Sequence, residues 1–302
     1  MKEKDHLKMN DTSPESTLEA SLTRPNSHRT FLKTAVAASA AAAAAGLLKE
    51  SADAQAADTI QTILNVAATA ETLAVTFYTN GVNNAAALGL SGGALDDIKA
   101  ALIEEQIHFN LFKANGGVPA AQTFSFPKGP TTFTDISAFI STQQQLEGVF
   151  DSAFIAASYE FVQLGHPELA RLAVQIAMIE SEHRALGRDI ASDRNVSLDA
   201  AMAGTASPNP ADNWAFAPQT IASVGAAPAL VQAAGYLSPS GSNSFTFQDQ
   251  TANFAGPLLG GVYANVLFRA PFVAGMPLAA TAVKGWGSKP KKHRKRHHSG
   301  RR

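Results

Sequence analysis

The 302-residue chain contains no cysteine. That absence excludes disulfides, thiolate zinc sites, cysteine-bound iron–sulfur clusters and cysteine nucleophiles. Any metal must be held by oxygen and imidazole. Charge is also sparse: 16% of residues are charged against 45% hydrophobic, so the chain can bury one good core with material left for appendages. The N-terminal apolar run, Thr34 to Leu48, is short and mostly alanine. It falls below the roughly 20 apolar residues a membrane-spanning helix needs.

Residues 1–56 read instead as an export signal. A polar stretch precedes the alanine-rich run, and Ala54-Gln55-Ala56 offers an A-x-A cleavage site that would leave Ala57 as the mature start. Ser27-His28-Arg29-Thr30-Phe31-Leu32-Lys33 resembles the twin-arginine export motif, with His28 in place of its first arginine. The expectation is an exported protein, periplasmic or otherwise extracytoplasmic.

Charge is segregated. The final fourteen residues hold a third of the 24 Lys and Arg, whereas the middle of the chain holds twice as many acidic as basic side chains. Residues 288–302 read as a disordered basic tail suited to an anionic cell-envelope surface; for an exported protein, nucleic acid is not the expected partner.

Four helical patterns follow the leader. The first opens at the capping residues Asp58 and Thr59, runs through Ile63, Ala67, Glu71 and Tyr78, and ends near Asn80-Gly81. The second runs from Ser91 to Asn115 through Ile98, Leu102, Glu105 and Phe112. Pro119, Pro127, Gly129 and Pro130 then leave no room for a regular element before about Phe133. The third pattern spans Thr134 to Gly165, and the fourth runs from His166-Pro167-Glu168 to about Asp193. Short links within each pair and one long crossover between the second and third predict an all-α four-helix bundle over residues 57–194. Residues 195–287, rich in Ala, Gly and Pro, read as an irregular extension packed on the bundle.

Histidine is scarce in the helical region, limited to His108, His166 and His183. Two of the three close an E-x-x-H: Glu105-Gln106-Ile107-His108 and Glu180-Ser181-Glu182-His183. Residues three apart share a helix face, so each pair aims a carboxylate and an imidazole at one point. Both pairs fall on the apolar stripe of their helix, as do Glu71 and Glu147 on the first and third. An unpaired carboxylate is costly there, and a cation would compensate it. The two halves repeat, since Glu71 precedes Glu105 by 34 residues, Glu147 precedes Glu180 by 33, and an aromatic, Tyr78 or Phe154, follows each lone glutamate by seven. Glu104, Asp151 and Glu182 lie within a turn of the chosen residues and compete with them as ligands. His166, before Pro167, reads as a solvated cap.

Over roughly Asp58 to Asp193 the chain resembles the ferritin-like superfamily of di-iron and di-manganese carboxylate bundles. Its leader and long C-terminal part look similar to ferritin-like proteins related to plant desiccation proteins. The resemblance implies two iron or manganese ions, with Glu71 and Glu147 as terminal carboxylates, Glu105 and Glu180 as bridging carboxylates, and His108 and His183 giving one imidazole per metal. It leaves three functions open: oxidation of ferrous iron or handling of oxygen or peroxide, a stress-protective module with metal used for stability only, and a metal-free surface-binding module.

Overall fold

The computed structural model describes residues 58–196, 217 and 219–266. The leader, the basic tail and much of the extension lie outside the described residues.

Four helices form the framework: α1 (Ile60–Asn83), α2 (Gly92–Ala114), α3 (Ile136–Gln163) and α4 (Pro167–Asp193). Their starts follow from local chemistry. The Thr59 hydroxyl accepts the Thr62 N–H at 3.1 Å, and Asp135 Oδ1 accepts that of Ala138 at 2.8 Å, each satisfying an otherwise orphaned N–H of a first turn. Pro167 opens α4, where its missing N–H costs nothing, and Glu168 in the first turn complements the helix dipole. The α3–α4 link is only Leu164 to His166, and Gly165 takes φ +80° there, a left-handed conformation that favours glycine. Short links make antiparallel hairpins, and α1 with α2 and α3 with α4 are the most extensively packed pairs.

By length and composition alone α1 could cross a membrane, but most of its apolar window is buried. It is one of the bundle's core helices. It also runs past Gly81, because that glycine lies against the Phe139 ring, where a Cβ would come within 2.6 Å. The position ends no helix; it admits a close approach to α3.

The crossover between α2 and α3 is more ordered than its prolines suggest. Thr123–Phe124 forms β1, Gly129–Phe133 forms a 3-10 turn with Pro130 near its start, and β1 pairs antiparallel with β2 (Phe245–Thr246), Thr123 opposite Thr246. Between these strands the chain adds a 3-10 turn at Val224–Ala226 and a short α5 (Ala227–Ala233), and beyond β2 a single-turn α6 (Gly260–Tyr263). The described part of the extension is fastened to the bundle by hydrogen bonds. The Val224 N–H donates to Glu160 Oε1 at 3.1 Å and the Gly225 N–H to Asp58 Oδ2 at 2.6 Å. Asn243 both accepts from and donates to the Phe126 backbone.

The core is layered along the bundle. Phe77, Phe126, Phe133, Phe139 and Phe245 pack together near the start of α3, with Phe77 and Phe139 stacked at 4.6 Å. Such contacts add to simple burial. A polar layer crosses the middle of all four helices, and an apolar cavity follows beyond it.

Candidate metal centre

The middle layer holds all six expected residues: Glu71 from α1, Glu105 and His108 from α2, Glu147 from α3, Glu180 and His183 from α4. Five are no more than 1% exposed, and His108, at 9%, is the most open. Their atoms form two groups, Glu71, Glu105, His108 and Glu180 in one and Glu105, Glu147, Glu180 and His183 in the other, each with ligand atoms within 4.8 Å of one another.

The two carboxylates common to both groups divide their oxygens between them. His108 Nδ1 faces Glu71 Oε2 at 3.7 Å, Glu105 Oε2 at 3.6 Å and Glu180 Oε1 at 3.7 Å. His183 Nδ1 faces Glu105 Oε1 at 3.0 Å, Glu147 Oε1 at 3.5 Å and Glu180 Oε2 at 3.5 Å. Most of these separations are too long for hydrogen bonds. Both oxygens of Glu71, Glu105 and Glu180, Glu147 Oε2 and both imidazole Nδ1 atoms are buried with no hydrogen-bond partner among the described residues. Buried polar atoms are almost always paired, and nine orphans converging on two points is the pattern of ligands around cations.

Electrostatics says the same. Burial, and then the charges of Glu105, Glu180 and Glu147, push the Glu71 carboxyl well above the usual range. Burial followed by Glu105 does the same to Glu180. For Glu105 burial is the largest single influence, but Glu71, His108 and His183 together outweigh it and hold the group well below the usual range. Burial depresses the His183 imidazole, while Glu147, Tyr78, Glu104 and Glu105 overcome it and raise the group. Four carboxylates and two imidazoles can share this volume only by retaining protons or by exchanging them for a cation. Carboxylate with imidazole is a donor set for iron, manganese or zinc.

Three surrounding groups orient the cluster. Glu104 Oε2 lies 2.9 Å from His183 Nε2, an acceptor for a proton on Nε2, so that a cation in the cluster would displace only the proton on the inward-facing Nδ1. The Tyr78 hydroxyl donates to Glu147 Oε1, and Gln143 Nε2 donates to Tyr78 Oη at 3.1 Å and to the His183 carbonyl at 2.9 Å. Glu104 is therefore not among the clustered carboxylates but behind one of the imidazoles. Asp151 pairs with Arg184 at 3.5 Å, Glu182 is exposed, and His166 Nδ1 sits 3.2 Å from Glu168. The orienting roles of Gln143 and Glu104 have no sequence signal, since each depends on a residue from another helix.

The family model for the ferritin-like domain matches residues 58–193, from the cap of α1 to the end of α4. Comparison with curated proteins and with solved structures returned no match.

Proposed function

We propose that this protein, whose residues 58–193 match the family model for the ferritin-like domain, is an exported metalloprotein that binds two iron or manganese ions in its bundle. The observation carrying this reading is the division of oxygens: Glu105 and Glu180 each turn one oxygen toward His108 and the other toward His183. Glu71 and Glu147 would each complete one of the two sets. A bound pair of such ions would supply redox chemistry toward ferrous iron, oxygen or peroxide.

The chain's own residues fix the ligands and govern protons. Glu104 holds the His183 ring in one tautomer, Tyr78 occupies one oxygen of Glu147, and the apolar residues above and below keep bulk water out. The leader, with its twin-arginine-like Ser27–Lys33 and Ala54-Gln55-Ala56 site, supports a location outside the cytoplasm, and the basic tail supports a weak hold on anionic envelope polymers.

Elemental analysis of the purified protein tests the reading, with the doubly substituted Glu105→Ala/Glu180→Ala as control. About two equivalents of iron or manganese, lost in the control, are expected. A folded protein that takes up neither ion on reconstitution would overturn the metal reading. Bound metal without ferrous-iron, oxygen or peroxide turnover would reduce its role to stability.

A further inference from the structure

On the side of the metal layer away from the phenylalanine cluster lies a cavity of about 580 Å³, within the ~300–1,000 Å³ typical of small-molecule sites. Its position is set by helical register. Each bundle helix places on the wall a residue one turn from its clustered ligand: Ala67 before Glu71, Phe112 after His108, Phe150 after Glu147 and Ile176 before Glu180. The cavity and the metal layer are consecutive floors of the same bundle.

We propose that this cavity binds the hydrocarbon chain of a single-chain lipid, held end-on to the carboxylate layer. The wall is almost wholly aliphatic and aromatic, so the occupant's body must be apolar. The wall extends along α3 from Val149 to Phe161, about 18 Å at the α-helical rise. A volume of 580 Å³ drawn out over that length is narrow, which suits an extended chain better than a compact ring system. The few polar wall residues on α1, Asn65 and Thr69, already bond within the protein, Asn65 Oδ1 accepting from Val118 N–H and Thr69 Oγ1 from Ala120 N–H. Their side-chain oxygens are thereby engaged. The exposed Glu168 and Arg171 stand at the edge of the wall, where a hydrated head group would remain.

The far wall comes from the extension, through Val224, Ala227, Val231 and Leu237. Glu160 and Asp58 hold it there by the backbone hydrogen bonds to Val224 and Gly225. This gives the described part of the extension a purpose that the bundle alone does not need: it closes the side of the chamber. Only the closeness to bound metal rests on the proposed function; the chamber stands without it.

The test is a fluorescence titration of the full chain with cis-parinaric acid, competed with palmitate, with metal content measured on the same samples. Saturable binding displaced by palmitate is expected. Ala153→Phe on α3 and Val231→Trp on α5 each fill the chamber from a different wall and touch no clustered ligand. Each should weaken binding at least tenfold while metal content and helical circular dichroism stay unchanged, and the second guards against misfolding of the first. Undiminished binding in both folded variants would place the probe elsewhere and overturn the proposal. So would the lack of displaceable binding in a protein that still carries two metals, an outcome that leaves the metal centre standing. Loss of metal in Glu105→Ala/Glu180→Ala with probe binding intact would support the chamber while separating it from the metal.

Discussion

At the scale of single residues, the side chains behind the clustered carboxylates and imidazoles give the first tests of the proposed centre. Glu104→Gln keeps the size of the side chain but weakens the hold on the His183 Nε2 proton, and a 10–100-fold loss of metal affinity is expected. Competition titration with a calibrated chelator measures it, and unchanged affinity would show that His183 is oriented by packing alone. Tyr78→Phe removes the hydroxyl between Glu147 and Gln143; it should cost about 1 kcal/mol of stability, read from urea midpoints. Glu160 gives a pH test away from the centre. Burial pushes its carboxyl up from 4.5 to about 7, with Asp58 adding to the effect and the Val224 N–H opposing it. The folded protein therefore binds this proton more tightly than the unfolded chain. Stability is favoured below about 4.5 and falls as pH rises toward about 7. In Glu160→Gln the amide oxygen still accepts from Val224 and the titration is gone. The difference between its urea midpoint and that of the parent should shift in the variant's favour from pH 5 to pH 8, whereas a constant difference would contradict the assigned shift.

At the scale of helices and their pairs, α3 and α4 approach closely because Gly187 carries no side chain. A Cβ there would lie 1.7 Å from Gln143 Oε1 and 2.6 Å from Gln144 Nε2, and those amides hold the His183 and Arg184 carbonyls at 2.9 Å. Gly187→Ala should cost about 1–3 kcal/mol through forced repacking, despite alanine's better helix propensity, and thermal denaturation will show whether it does. The four helices were readable because each carries an apolar stripe and α1, α3 and α4 also carry a start signal, and the two E-x-x-H spacings placed the clustered carboxylates and imidazoles on those stripes. Pairing of β1 with β2 was not readable. Each strand is two residues long, the partners lie more than a hundred positions apart, and such pairing leaves no local period. Glu104 was legible only as a competitor of Glu105, since its imidazole partner arrives from α4. The repeat was partly misleading too: Tyr78 and Phe154 occupy equivalent places, yet Tyr78 bonds Glu147 in the acidic layer while Phe154 stacks on Phe112 at 5.9 Å and lines the cavity.

At the scale of the whole molecule, the proposed metal centre would link stability to metal. An ion that binds the folded state alone stabilises it by about 2.7 kcal/mol at a hundred times its dissociation constant. Chelation should lower the melting temperature, manganese or ferrous iron should restore it, and a melting temperature indifferent to both would count against the layer as a binding site. The order of the parts along the chain also bears on how the molecule is made. Every clustered ligand has been supplied by His183, whereas the outer wall of the chamber begins only at Val224. Chains fold progressively from the N-terminus as they leave the ribosome. The bundle can thus complete its polar layer while the last third of the polypeptide is still being synthesised. During that interval the future chamber lacks the side that Val224, Ala227, Val231 and Leu237 provide.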